Sequence, residues 1–289
     1  MNTIDTKLIR AGQVFFAICL VTNGILQLYY GDFRPQILPP WPSWIPGLAI
    51  CARLMGVAMV ASGVAIVIQK KAREISLVWG GVLLAFIPLF QIPYMLFVSP
   101  HSNRLGSWAD TFNTLALSGI AFIVAGSFSE VNEKDEHKSA LLRPLERLIP
   151  FGRIFLCTTI VAFGICHFLY SAYIDTLVPP WIPWHRFWTY FAGTCLIGSG
   201  TAIILKIKLK LMAKLLGTMI FLWVVMLHIP RAVADPHSGE GNEIESAARA
   251  LAESGAAFLV ACAARAREKN ARLSGTASSE ACVHRLTEL

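Results

Sequence analysis

Five ionisable side chains in the second half of the chain lie within long apolar stretches. Charged and titratable groups are costly in such surroundings and are usually paired or functional. Histidine, whose unperturbed pKa is about 6.5, exchanges a proton near neutrality. The pattern therefore predicts an outward-opening polar pocket with two histidines as proton donors or acceptors and three charge partners. The five are His167, His228, Arg231, Arg249 and Glu253.

Two other interpretations fit the same five residues. They can form an ion-paired, hydrogen-bonded cluster that only fixes helix packing. Two histidines on separate helices at similar depth can also be axial ligands of a haem, which the sequence favours less because no haem motif is present. No metal site is predicted, and no catalytic residue can be assigned.

The five residues stand out because the chain consists of two copies of one sequence pattern. Apolar helices, a Pro-Pro-Trp loop, an Ile-Pro pair and a Pro-His-Ser loop recur in the same order and at a nearly constant offset, which indicates a tandem duplication. The Pro-Pro-Trp loops begin at Pro39 and Pro179, and the Ile-Pro pairs at Ile92 and Ile229. Matched positions of the two copies can therefore be compared directly.

At the matched positions the first copy carries neutral side chains. Gln27 and Gln91 stand where the second copy has histidines, and Tyr94 stands where it has Arg231. Asn113 and Leu117 stand where the second copy has Arg249 and Glu253. Five exchanges toward ionisable groups in one copy favour the second copy as the site of any chemistry.

The composition is that of a membrane protein. Apolar residues make up 55% and charged residues 15% of the chain, against about 25% charged in soluble domains. Eight stretches are long enough to cross a hydrocarbon core, which takes about 20 helical residues. We therefore predict an all-α fold of two parallel four-helix bundles. The spans lie near 11–30, 47–68, 75–98, 108–128, 152–173, 187–205, 211–234 and 244–264.

The distribution of basic residues predicts the orientation. The chain has a net charge of +7, but most of its 25 Lys and Arg residues fall in the termini, the linker and alternate loops. Such residues accumulate on the cytoplasmic side, so both termini should lie there. The net charge therefore gives no support for nucleic-acid binding, and the lipid bilayer is the predicted partner. The predicted location is the cytoplasmic (inner) membrane of a bacterium or archaeon.

The chain divides into four parts. The repeats occupy residues 1–129 and 151–266, and a charged cytoplasmic linker at 130–150 ends in a short amphipathic helix. Residues 267–289, rich in Ser and small residues, are predicted to be a flexible cytoplasmic tail.

Two further features have structural interpretations. Arg53 and Asp110 of the first copy are predicted to form an ion pair near the outer interface. The seven cysteines include no CxxC pair and no position shared by the copies, so they indicate neither a disulfide framework nor a thiolate metal site.

The repeated unit resembles the DoxX-like family of membrane proteins. The resemblance rests on the Gly-Ile-x-His-Phe sequence at 164–168, the Pro-x-Trp-x-Pro loop, the Gly and Ser-Gly positions of the second span and a histidine in the third. It implies a four-helix bundle and, for some members, association with quinone-linked or sulfur-handling redox systems. The family's histidine positions correspond to His167 and His228, and the first copy departs from them with Gln27 and Gln91.

Three functions follow as hypotheses. The first is a membrane subunit of a quinone-linked redox or sulfur-handling system, with a quinone beside the two histidines and separate redox partner proteins. The second is a carrier for a small amphiphile, and the third is a structural anchor for a soluble enzyme. No redox centre is encoded, so the sequence leaves open whether the chain is catalytic.

Overall fold

The fold is entirely helical in the part of the chain that the structure describes. A computed structural model describes residues 3–42, 44–128 and 142–287, with the side chains of the last helix described to residue 267. Eight helices in these ranges are long and apolar enough to cross a membrane. They are α1 (Thr3–Tyr30), α2 (Leu48–Val67), α3 (Ala72–Phe97), α4 (Ala109–Ser127), α5 (Gly152–Leu169), α6 (His185–Ile204), α7 (Leu209–Ala234) and α8 (Asn242–Thr287).

The eight predicted spans are confirmed as helices, with boundaries that differ by several residues. The largest difference is at the end of the chain, where the backbone of α8 continues to Thr287 through the segment predicted as a flexible tail. Residues 130–141, which are most of the charged linker, lie outside the described residues.

The end of the linker forms a short helix that packs on the protein. It covers Leu142–Glu146. Leu145 packs against Gly81 of α3. Glu146 forms a salt bridge with Arg73, in which Nη2 of Arg73 lies 3.1 Å from Oε1 of Glu146. The amphipathic helix predicted from the sequence thus covers α3 with its apolar side.

Helices α3 and α7 are each interrupted by one π-helical turn. The turns span Ile87–Gln91 and Val224–His228, and each is followed after one residue by a proline, Pro93 or Pro230. Proline has no N–H to donate to the preceding turn, which explains why the regular hydrogen-bond ladder is broken there. π-turns occur frequently at functional sites, and here each turn ends on one of the matched polar residues, Gln91 or His228.

The helices form a closed ring. Each helix packs against its neighbours in sequence, α8 returns to pack against α1, and α4 and α8 meet across the middle. The contacts of α4 with α5 and of α8 with α1 are as intimate as those inside each predicted bundle. The two predicted bundles are therefore joined into one body along two helix pairs.

Small residues allow the closest of these helix contacts. A Cβ atom on Gly119 of α4 would lie 2.6 Å from the carbonyl oxygen of Gly152 on α5. A Cβ atom on Gly255 of α8 would lie 3.0 Å from the Cα atom of Gly12 on α1. Small side chains bring helix backbones together in membranes, where dispersion contacts replace the hydrophobic effect as a source of affinity between helices.

Replacing Gly119 by alanine should destabilise the protein by about 1–3 kcal/mol, the usual cost of overpacking. The added methyl group would meet the Gly152 carbonyl oxygen and, at 2.8 Å, the Leu156 amide nitrogen, so the two backbones must separate. Gly198→Ala is the matched control, because nothing lies within 4 Å of a Cβ atom there. Unfolding by sodium dodecyl sulfate in mixed micelles measures both, and equal stabilities would contradict the close-packed interface.

Candidate functional site

A cavity of about 630 Å³ lies between α4, α5, α6, α7 and α8. Four of the five ionisable residues singled out in the sequence line it, namely His167, His228, Arg249 and Glu253. The volume falls within the usual range of about 300–1,000 Å³ for small-molecule sites. The structure thus brings together residues from three helices that are far apart in the sequence.

The cavity has one apolar side and one polar side. Helices α5, α6 and α7 contribute aromatic and aliphatic side chains, including Phe163, Trp188 and Trp223. Helices α4 and α8 contribute carboxylate, amide and guanidinium groups. An apolar wall with a few converging polar groups is the usual character of a binding site for a small amphiphilic molecule.

The two histidines present different atoms to the cavity. Nδ1 of His167 lies 2.7 Å from the carbonyl oxygen of Phe163 one helical turn earlier, a distance that places the proton on Nδ1. Nε2 of His167 is then the acceptor of the neutral ring. Within the described residues His228 has no hydrogen-bond partner, so both of its ring nitrogens are available to a ligand.

Arg249 is the central cation of the polar side. Its Nη1 donates a 2.8 Å hydrogen bond to Oε1 of Gln36, and its Nε lies 3.8 Å from Oε1 of Glu253. Asp110 and Glu245 are also close enough to interact with it electrostatically. Arg249 thus lies near three carboxyl groups, of which Glu245 is also held by a second arginine, Arg34.

Several buried acceptors beside the cavity lack a donor. Oε1 of Glu253, Oε1 of Glu245 and Oδ1 of Asn113 have no hydrogen-bond partner among the described residues. A buried acceptor left without a donor costs about 1–3 kcal/mol. All three residues line the cavity, so a ligand that carries a hydroxyl or an N–H group would satisfy one of them.

The fifth residue of the predicted pocket, Arg231, lies outside the cavity. Its Nε and Nη2 donate to the two carboxylate oxygens of Glu243 at 2.9 and 2.5 Å, and the residue does not line the cavity. Such a bidentate pair uses the planar fork of the guanidinium fully. Arg231 therefore joins the end of α7 to the start of α8.

The predicted Arg53–Asp110 pair is not among the salt bridges of the described residues. Asp110 instead lines the cavity from α4, within electrostatic range of Arg249. The Arg53 guanidinium packs against Gly31, at 2.9 Å from where a Cβ atom would be. The two side chains therefore have different neighbours.

Most of the first-copy equivalents contact other groups of the protein rather than the cavity. Nε2 of Gln27 lies 3.4 Å from the sulfur of Met59, and Gln91 donates to the Pro35 carbonyl oxygen and to Thr114. Tyr94 is half-buried on α3 and does not line the cavity. Only Asn113 reaches the cavity.

The sequence did not predict the salt bridge between Arg34 and Glu245, which lies at the polar side of the cavity. Nη2 of Arg34 lies 2.5 Å from Oε2 of Glu245, with both side chains 3% exposed. Nη1 of Arg34 also donates to the Glu240 carbonyl oxygen at 2.9 Å. The signal available was an arginine and a glutamate that each adjoin an apolar span, but nothing in the sequence pairs them.

The fold and the cavity define an all-α, multi-pass membrane protein with an amphiphilic cavity of ligand size. Compared with family models, curated proteins and solved structures, the chain matches none.

Proposed function

We propose that this protein is a DoxX-like membrane subunit of a quinone-linked redox or sulfur-handling system, and that its cavity binds a lipid-soluble amphiphile such as a quinone. The observation that carries the proposal is the cavity itself, which combines an apolar wall with the polar groups of His167, His228, Arg249 and Glu253. A quinone ring with an alkyl tail has the same division into polar and apolar parts.

The two-copy organisation is part of the proposal. Support comes from contacts that recur at matched positions: the Ser118 hydroxyl donates to the Gly80 carbonyl oxygen, and the Ser254 hydroxyl to that of Gly217, both at 2.8 Å. The π-turns of α3 and α7 also end at matched residues. Four spans in each copy give parallel repeats, related by an axis near the membrane normal.

The proposed orientation places both termini in the cytoplasm and the cavity toward the outer face of a bacterial or archaeal inner membrane. The distribution of Lys and Arg supports it. The cavity is lined by Tyr173 and Val178 of the loop between α5 and α6, the side on which the Pro-Pro-Trp loops lie. A quinone would enter from the outer leaflet.

The residues of the cavity would hold the polar head of the ligand and exchange protons with it. His167 accepts through Nε2, His228 donates or accepts, and Glu253 offers an acceptor in need of a donor. A bound quinone would supply the redox chemistry that the side chains lack. Electrons must come from a partner protein, since no redox centre is encoded.

Mass spectrometry of the molecule that copurifies with the protein tests this proposal. We expect an isoprenoid quinone or a similar amphiphile. Leu227→Trp should abolish its retention, because Leu227 lines the cavity and the larger ring would occupy it. Leu222→Trp on the same helix is the matched control, since Leu222 is 51% exposed on the outer surface. Equal retention of the ligand by the two variants would show that the ligand does not bind in the cavity.

A carrier function is the second candidate, and one observation favours it. The π-turn of α7 lies beside the cavity and ends at His228, so a change in that turn would move a cavity residue. Uptake of an amphiphile by sealed vesicles without an electron donor would select the carrier. A Soret band in the absorbance spectrum would instead identify haem.

A further inference from the structure

In the first copy, the chain's own backbone lies against the residues that match the cavity residues of the second copy. Nε2 of Gln91 donates to the Pro35 carbonyl oxygen at 2.9 Å, and the Thr114 hydroxyl donates to that of Gln36 at 2.7 Å. Both contacts belong to segment 34–38, whose side chains Ile37 and Leu38 are 0% and 7% exposed. The segment thus packs a carbonyl group and an apolar body against α3 and α4.

The matched residues of the second copy face open space. His228 matches Gln91 and Ala250 matches Thr114, and both line the cavity. The matched backbone segment, 174–178, lines the cavity with Ile174, Leu177 and Val178, and its Ile174 and Asp175 carbonyl oxygens accept hydrogen bonds from the Leu177 and Val178 amides of the segment itself. One copy therefore holds a peptide group where the other holds a cavity.

The buried salt bridge accounts for the difference. Arg34 at the start of the segment is held by Glu245, which draws the segment toward the centre of the ring. Its match in the second copy is Ile174, and the match of Glu245 is Ala109, so no ion pair can form there. Residues Ser171–Asp175 instead form a short helix directly after α5.

We propose that the ligand of the cavity presents a carbonyl oxygen to His228, in the place where the Pro35 carbonyl oxygen meets Gln91, with its apolar body where Ile37 and Leu38 lie in the first copy. The inference rests on the proposed function and names its ligand class, a lipid-soluble carbonyl compound. His228 is the donor to that oxygen. Its ring has no hydrogen-bond partner among the described residues, which leaves an N–H free for this contact.

The other contact of the first copy, between Thr114 and the Gln36 carbonyl oxygen, restricts the ligand further. The Thr114 hydroxyl binds the next carbonyl oxygen of the peptide, but the matched Ala250 has no donor. The unpartnered acceptors Asn113 and Glu253 lie on the same polar side. A ligand with one carbonyl oxygen at His228 and a hydroxyl or N–H group toward these acceptors satisfies the whole set.

Calorimetric titration in detergent micelles, with decylbenzoquinone and decylbenzene as probes, tests the contact. His228→Gln keeps a donor and imitates the first copy, so its dissociation constant for decylbenzoquinone should stay within about threefold of wild type. His228→Leu removes the donor and should weaken binding about tenfold, the effect of losing one hydrogen bond. Decylbenzene, which has no carbonyl group, should bind both variants alike, and this shows that the cavity is intact.

Two failures can be told apart. If wild-type protein binds neither probe, the cavity is not an amphiphile site and the proposed function is wrong. If wild-type protein binds decylbenzoquinone but His228→Gln and His228→Leu weaken it equally, or decylbenzene binding falls in parallel, the amphiphile site stands and the carbonyl contact is overturned.

Discussion

Replacing Arg34 by methionine should destabilise the protein by about 3–5 kcal/mol, the cost of removing one partner from a buried ion pair. The Arg34 and Glu245 side chains are each only 3% exposed, and the guanidinium makes three hydrogen bonds to Glu245 and the Glu240 carbonyl oxygen. The variant would leave the Glu245 carboxylate buried with Arg249 as its nearest remaining cation. Denaturation by sodium dodecyl sulfate in mixed micelles measures the loss.

A control and a double variant make this prediction specific. Arg265→Met removes a comparable 2.8 Å pair with Asp5, but Arg265 is 42% exposed, so the change should be about 0–1 kcal/mol. The double variant Arg34→Met, Glu245→Leu should recover much of the stability, because no charge stays unpaired. A single variant as stable as Arg265→Met would show that Arg34 does not fix the 34–38 segment.

The helices could be predicted because their signal is local. Each span is a run of apolar residues of membrane length, and the duplication let the polar α8 be recognised through its match with α4. The boundaries of α1 and α8 were predicted less accurately, since both helices continue past their apolar runs, to Thr3 and to Thr287.

The site could be predicted only in part, because its polar side depends on contacts across the ring. Comparing the copies identified His167, His228, Arg249 and Glu253, each of which lines the cavity. It did not reveal the salt bridge between Arg34 and Glu245, which lie 211 residues apart. Neither residue has a counterpart of the same type in the other copy. Sequence periodicity carries no information on such a pairing.

For Asp110 and Arg231, by contrast, the sequence predicted contacts that the structure does not contain. Arg231 was assigned to the pocket because it lies three residues from His228, and Asp110 was paired with Arg53 because both fall near the predicted outer interface. Spacing and depth alone do not give the direction of a side chain around its helix axis. Asp110 lines the cavity within electrostatic range of Arg249, whereas Arg231 pairs with Glu243 outside it. Direction is fixed by packing between α4, α7 and α8, which the sequence alone does not give.

The exchange of Asn113 and Leu117 for Arg249 and Glu253 should behave as a unit. Arg249→Asn alone imitates half of the first copy and should cost about 3–5 kcal/mol, because Glu253 keeps a buried carboxylate without its cation. Adding Glu253→Leu completes the imitation and removes that carboxylate. The double variant should be more stable than the sum of the single effects by about 0.5–3 kcal/mol, the range measured for residues in contact.

The same variants separate stability from ligand binding. The double variant should fold yet retain no quinone, since the cavity loses its central guanidinium and one of its unpartnered acceptors. Arg231→Tyr, which also imitates the first copy but lies outside the cavity, should retain the ligand. Unfolding in mixed micelles and mass spectrometry of the retained molecule measure the two properties. Strictly additive stabilities would show that Arg249 and Glu253 do not act as a unit. Quinone retained by the double variant would mean that the charges of the second copy only fix helix packing.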